Sequence, residues 1–331
     1  MKAYNPLTAV LALMLGTATA YSQVELTDNL AISGFVDAAY TSSDDGTTDT
    51  EELALEEAEI DLLFNLDTVS GEVHLETDGT QVTLEQAFVT YDLGNGLAVT
   101  AGRYLSLLGF EADETVTRYT RSRAYDFTEL HDASVIPLYN EGVKLEAVSD
   151  QGWLAVSLQN EVWPKFGPGN INGDAIGLEV QAGFTGKQGL TAVIGYAGQD
   201  TNGHKQRGIA VHNGEIYNIW VSYESGPLIL AAEYNDFANA GVDDPIIKGQ
   251  RKTGDSVMVL GRYAINENSS ITGRYSEENL DDGRGAEKWS VAPQYSFTDN
   301  LAGRIEYSRT DYVGTGVDEV DFFALEAMFT F

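Results

Sequence analysis

Residues 288–331 read KWSVAPQYSFTDNLAGRIEYSRTDYVGTGVDEVDFFALEAMFTF. Three runs in this stretch alternate with period two. Lys288–Thr298 sets Trp289, Val291, Tyr295 and Phe297 on one face. Leu301–Tyr312 sends Leu301, Ile305 and Tyr307 one way and Arg304, Glu306 and Ser308 the other. Val320–Phe331 aligns Phe323, Leu325, Ala327, Phe329 and Phe331. Period two predicts strands, and Asp299-Asn300 leaves room only for a tight hairpin. One apolar and one charged face per strand suits a sheet with lipid on one side and water on the other.

The same alternation extends back through the chain. Asn29–Tyr40 places Leu30, Ile32, Val36, Ala38 and Tyr40 together, and Leu53–Asp67 opposes Ala58, Ile60, Leu62, Phe64 and Leu66 to Glu57, Glu59 and Asp61. Further runs bring the expectation to about sixteen antiparallel strands, an even number as bacterial barrels require. Short turns such as Asp67–Gly71, Gly94-Asn95-Gly96 and Gly226-Pro227 alternate with longer polar links such as Thr41–Glu52, Pro164–Gly173, Thr201–Gly214, Asn239–Gly254, Asp281–Glu287 and Val313–Glu319. Outer-membrane barrels separate periplasmic turns from external loops in this way, whereas a soluble sandwich has no reason to.

The longest link follows the strand Leu97–Leu107 and ends at Gly142–Ser149. It mixes Arg118, Arg121 and Arg123 with Glu111, Asp113, Glu114, Asp126, Glu129 and Asp132. A structureless stretch of this length is usually functional. It is the third external loop by count, and the expectation is that it folds into the lumen and narrows it.

The N-terminus reads as a secretory signal over residues 1–20. Lys2 is its positive end, Leu7–Gly16 its apolar core and Ala18-Thr19-Ala20 its cleavage site, so the barrel would occupy residues 21–331 as one domain. Cysteine is absent, which excludes disulfides. The formal charge of −32 excludes nucleic acid as a partner and repels anionic lipid unless metal cations bridge the two. The pairs Asp44-Asp45, Glu51-Glu52, Asp243-Asp244 and Asp281-Asp282 fall in external loops, where divalent cations could link them to lipopolysaccharide phosphates. None has EF-hand spacing, so solvated loop charge is the simpler account.

If apolar residues face lipid, the opposite parity lines the pore. That puts Asp37, Glu57, Glu59 and Asp61 on early strands and Lys144, Arg262, Arg274 and Arg304 mostly on late ones, giving a transverse field across a charged constriction. Arg103 belongs near it, but its parity matches Leu97 and Val99, which calls for a bulge. The bland alternative is that these charges only solvate the lumen or pair with each other. Net acidity predicts cation preference in dilute salt. With a Debye length of about 8 Å at physiological salt, wall arginines would weaken or reverse it as ionic strength rises.

Catalysis has little in its favour. His74, His131, His204 and His212 show no metal-ligand spacing, and no GxSxG elbow occurs. His131, Asp132 and Ser134 are neighbours in sequence, which does not make them a triad.

Gly102-Arg103-Tyr104, Leu108-Gly109-Phe110-Glu111, the stretch Tyr119–Arg123 and Gly142-Val143 resemble Gram-negative outer-membrane porins, most of all the OmpL-like β-barrel porin family. The resemblance implies an inward-folded third loop and a homotrimer. It also implies that Phe331 is the C-terminal aromatic read by the barrel-assembly machinery. The resulting expectation is a passive channel for small hydrophilic or charged solutes, without a cofactor. Its rivals are a substrate-selective channel for sugars or carboxylates and, further off, an outer-membrane hydrolase.

Overall fold

A computed structural model describes residues 23–111, 113–130, 135–163, 176–186, 188–200, 205–206, 209–210, 213–241 and 251–331. The predicted signal peptide, His131, Asp132, Ser134, His204, His212 and Asp243-Asp244 lie outside the described residues.

The strands are β1 Leu30–Asp44, β2 Asp49–Leu66, β3 Val69–Thr77, β4 Val82–Gly94, β5 Leu97–Leu105, β6 Tyr139–Ser149, β7 Gly152–Gln159 and β8 Ile176–Thr185. They continue as β9 Leu190–Asp200, β10 Gly214–Ser225, β11 Leu228–Ala240, β12 Lys252–Ala264, β13 Ser269–Leu280, β14 Gly285–Ser296, β15 Leu301–Val313 and β16 Glu319–Thr330. Each pairs antiparallel with the next, and β16 returns to β1, so the sheet closes into a sixteen-stranded barrel. A short strand, Val24–Thr27, pairs with the start of β1, and a two-residue ladder joins Lys205–Gln206 to Ile209–Ala210. Among the described residues the only helical turn is the 3-10 segment Thr128–Leu130.

Alternation decides the two faces. On β15, Ile305 and Tyr307 are exposed while Arg304, Glu306 and Ser308 are buried; on β16, Leu325 and Phe329 are exposed while Glu326 is buried. In a soluble protein this would be inside-out. In a barrel the apolar residues meet lipid and the polar ones meet the interior.

Several external links are shorter than the sequence suggests, because the ladders run past the apolar segments. β1 and β2 leave only residues 45–48 between them, where Asp45 accepts from the Thr47 and Thr48 amides at 2.8 and 2.7 Å. The links between β13 and β14 and between β15 and β16 shrink to residues 281–284 and 314–318.

Two bulges change the inner face. Asp37 pairs with Glu57 and Ala38 with Leu55, so Glu56 is an extra residue on β2. His74 pairs with Gln86 and Leu75 with Leu84, so Glu85 is an extra residue on β4. A bulge re-aims a side chain, and both extra residues are acids. The bulge expected beside Arg103 is absent: β5 keeps regular register with β4 and β6 there. Gly102 carries the irregularity instead, at φ 138° and so close to β4 that a Cβ would lie 2.2 Å from the Ala87 carbonyl.

The barrel closes at Phe331. Its N–H donates to the Gly34 carbonyl and its carbonyl accepts from Gly34 N–H, both at 3.0 Å, and its ring stacks on Phe329 at 5.9 Å. Gly34 is needed because a Cβ there would lie 2.2 Å from the Glu59 carbonyl. Deleting Phe331 removes both seam bonds and the stacked ring. The expected outcome is a smaller fraction of heat-modifiable barrel in the membrane, read by gel mobility with and without boiling. Unchanged assembly kinetics would show that the last residue is dispensable.

Candidate functional site

The described residues of 106–138 leave β5 and return at β6 with almost no regular structure of their own. Buried backbone without a ladder needs other partners, and inward-facing wall side chains supply them. Carboxylates accept from the segment's N–H groups. Glu179 on β8 takes Leu107 N–H at 3.1 Å and the Ser106 hydroxyl at 2.7 Å. Glu233 on β11 takes Phe110 N–H at 3.0 Å, and Glu306 on β15 takes Arg121 N–H at 2.5 Å and Ser122 N–H at 3.1 Å.

Cations donate to the segment's carbonyls. Arg274 on β13 reaches the carbonyls of Ser122 at 2.7 Å and Arg123 at 3.2 Å, the Thr120 hydroxyl at 2.6 Å and Glu111 Oε1 at 2.5 Å. Arg304 on β15 donates to the carbonyls of Arg118 at 2.7 Å and Thr115 at 3.0 Å while paired with Glu326 at 2.6 Å. Lys288 on β14 donates to the carbonyls of Arg123 and Asp126 at 3.0 and 2.6 Å. Arg274 and Arg304 are 2% and 1% exposed, so they are fasteners and not freely solvated charges.

The segment also has an apolar side. Tyr125, Phe127, Leu130 and Val135 pack in one cluster with Ile216, Ala231, Met258 and Leu260 of β10 to β12. A cavity of about 340 Å³ lies beside this cluster, lined in part by Glu111, Asp113, Arg123, Glu233 and Lys252.

Within the segment the predicted residues divide. Arg118 turns back on its own loop, donating to the Asp113 carbonyl at 3.0 Å and Thr115 Oγ1 at 2.6 Å, and Arg123 pairs with Asp113. Burial and the neighbouring Arg123 bring Arg118 down to about 10. Arg121 crosses to the seam of β16, β1 and β2, meeting Glu56 at 2.7 Å and Asp37 and Glu326 at 3.4 Å. Burial disfavours the Glu111 anion, yet Arg274 and the Ala124 N–H hold its carboxyl below the usual range.

The early wall is different. Glu57, Glu59 and Asp61 of β2, Glu72 and Glu76 of β3 and the bulged Glu85 of β4 gather on one side. Among the described residues His74 is their one basic ion-pair partner, with Nδ1 3.1 Å from Glu59 and 3.0 Å from Asp61 and Nε2 2.9 Å from Glu72. Arg103 donates to the carbonyls of Glu85 and Tyr139 at 2.8 and 3.3 Å, bracing strands on both sides of β5. Arg262, half-buried, lies over the Tyr119 ring at 5.8 Å. Sequence reasoning named Arg304 and Arg274 but missed Glu179, Glu233, Lys288, Glu56 and Glu85. Inner parity could have found the first three; the bulged pair carries no local signal.

Residues 29–331 match the protein family described as "Putative beta-barrel porin-2, OmpL-like". No curated protein sequence matches the chain. Among solved structures, OmpF of Salmonella typhi in complex with daunomycin is similar at TM-score 0.68 and 15% identity, covering 93% of this chain and 100% of that one. The outer-membrane channel DcaP of Acinetobacter baumannii aligns at TM-score 0.65 and 13% identity, covering 91% and 97%. OmpT of Vibrio cholerae in its trimer form aligns at 0.63 and 14%, covering 91% and 99%. At these identities the likeness is one of fold.

Arg274→Ala would leave Glu111 buried without its cation and free the carbonyls of Ser122 and Arg123. Breaking one side of a buried pair costs about 3–5 kcal/mol. The variant is expected to lower the unfolding temperature and open residues 106–138 to protease. In a double-mutant cycle, adding Glu111→Ala should cost less than the sum of the single changes, because the orphaned charge is gone.

Proposed function

This chain belongs to the OmpL-like β-barrel porin-2 family, and from that premise we propose that it is a passive, water-filled channel of the outer membrane for small hydrophilic solutes, with preference for cations. Family and fold point to a channel rather than an enzyme. In this reading the described residues of 106–138 lie inside the lumen against the late wall, and the open path runs beside the early wall. Support comes from the segment's bonds to inward side chains of β1, β2, β8, β11 and β13 to β16, which span most of the circumference.

The observation that carries the cation preference is how the bases are used. Lys252 is paired with Glu278 at 2.8 Å, Arg304 with Glu326 and Arg274 with Glu111. On the early wall His74 is shared by Glu59, Asp61 and Glu72, Arg121 goes to Glu56 and Asp37, and Glu57, Glu76 and Glu85 are in no ion pair among the described residues. Charge at a narrow path persists where distant loop charge is screened. The unneutralised acids therefore set the sign at all salt concentrations, and the reversal expected from wall arginines does not follow. Small cations and cationic solutes suit this lumen better than carboxylates.

We propose further that the protein is a homotrimer, in line with the trimer form of Vibrio cholerae OmpT. The external acids Asp44, Asp45, Asp281 and Asp282 would meet lipopolysaccharide through divalent cations.

Planar bilayers test the reading. Open, ohmic steps with a cation-selective reversal potential in both dilute and concentrated salt are expected. Glu57→Gln with Glu76→Gln should move the reversal potential toward anions; no movement would place the ion path elsewhere. Neutralising Arg262, Arg274 and Arg304 together should alter loop stability more than selectivity.

pH supplies a second test. Burial, then the nearby Glu85, Asp113 and Glu57, raise the Glu114 carboxyl well above the usual range. It is neutral at pH values where ordinary glutamates are charged, and ionises as pH rises further. Cation preference should therefore grow with pH above the ordinary carboxylate range, and Glu114→Gln should flatten that rise.

A further inference from the structure

Four carboxylates converge where the long loop meets the early wall. Glu57 and Glu59 come from β2, Glu85 from the bulge of β4 and Glu114 from the loop, and each offers an oxygen within 4.8 Å of the others. Such a cluster is not by itself a site. What sets it apart is its unfilled hydrogen-bonding capacity. Glu59 and Glu85 are only 2% and 7% exposed, and Oε2 of each has no hydrogen-bond partner. Most buried polar atoms in native proteins are satisfied, and an orphaned one costs stability. Here two orphaned oxygens sit in one group of like charges.

The surrounding contacts sharpen the chemistry. His74 spends Nδ1 on Glu59 Oε1 at 3.1 Å and Asp61 at 3.0 Å, and Nε2 on Glu72 at 2.9 Å. It orients Glu59 and leaves the cluster an all-oxygen set. Thr115 Oγ1 donates to Glu57 Oε2 at 3.3 Å, leaving Oε1 of that carboxylate available to a ligand. The burial and mutual repulsion that raise the Glu114 carboxyl are what a bound cation would relieve. Hard divalent cations take oxygen ligands. Ca²⁺ accepts several carboxylates in a flexible shell, while Mg²⁺ demands strict octahedral geometry and keeps its waters.

We propose that Glu57, Glu59, Glu85 and Glu114 form a Ca²⁺ site that staples the long loop to the early wall between β2 and β4. On this side the loop's described contacts include Arg121 with Glu56 and Thr115 with Glu57. The ion supplies to this cluster the positive charge that Arg274 and Arg304 supply to the late wall.

The test uses the full chain folded in detergent and stripped with chelator, titrated with CaCl₂ alone in a calorimeter. One Ca²⁺ per chain is expected to bind to this site. Glu59→Gln with Glu85→Gln should abolish that binding while heat-modifiable mobility is retained, and Asp281→Asn with Asp282→Asn should leave it intact. If the paired glutamines prevent folding, the single loop change Glu114→Gln serves. It should weaken Ca²⁺ by at least about tenfold, because affinity follows the charge of the ligand set. Absence of binding in the stripped wild type would overturn the proposal and leave shared protons as the account of the cluster. So would binding unchanged in the glutamine variants, which would assign the ion to external acids. Binding is read without conductance, so failure of either reading leaves the other standing.

Discussion

The rest of the structure depends on the requirement that no backbone donor or acceptor remain open in hydrocarbon. A sheet meets it only by closing on itself. Here closure falls between the two ends of the chain, where β16 pairs with β1 and Phe331 exchanges hydrogen bonds with Gly34. Once the sheet is closed, alternation leaves one parity to lipid and the other to the interior. Ile305, Leu325 and Phe329 therefore point outward while Arg304, Glu306 and Glu326 point in. A barrel of this many strands is too wide for wall side chains alone to fill, so the interior must hold water, a folded segment, or both.

Residues 106–138 meet the same requirement without a ladder. Among the described residues their backbone is irregular and much of it is buried, so its polar groups are satisfied by charged side chains standing on the wall. Glutamates 179, 233 and 306 take amides, and Arg274, Arg304 and Lys288 take carbonyls. Desolvating such charges is costly, and the cost is offset because each cation also meets an acid or several carbonyls. The apolar contacts of Phe127, Leu130 and Met258 then come at little extra cost, since the loop is already fixed. Much of the charge inside this barrel is therefore structural before it is electrostatic.

All of the barrel strands were legible in the sequence because period two is a local property. Leu190–Asp200 carries its full assignment within its own residues, and turn parity needs only neighbouring runs. Strand ends were less legible, since pairing beyond the apolar segment in β1 and β2 depends on the partner and not on hydropathy. The site was legible only by parity. Arg274, Arg304, Glu59 and Asp61 were placed on the inner face correctly, but whether an inward arginine faces water or holds a loop depends on a segment over 150 positions away in sequence. The bulges at Glu56 and Glu85 arise from register between two strands, and neither residue is marked in its own strand. Arg103 shows the reverse: its parity conflict was real, and a glycine at positive φ accommodates it.

The division of labour among charges decides the electrostatics. A transverse field needs free acids on one wall and free bases on the other. In this barrel Arg274, Arg304 and Lys252 are spent on Glu111, Glu326 and Glu278, whereas among the described residues Glu59, Asp61 and Glu72 share His74 and Glu56 takes Arg121, with no ion pair to Glu57, Glu76 or Glu85. Like charges within a few ångströms in a partly dry interior cannot all ionise unaided. They must bind protons, hold a metal ion or draw mobile cations from solution, and each of these leaves the early wall as the place where positive charge collects. The net charge of −32 adds to this pull from outside but is screened over a distance comparable to the loops. In the channel proposed above, selectivity would follow from which charges the fold leaves unpaired, and the total charge of the chain would be a poor guide to it.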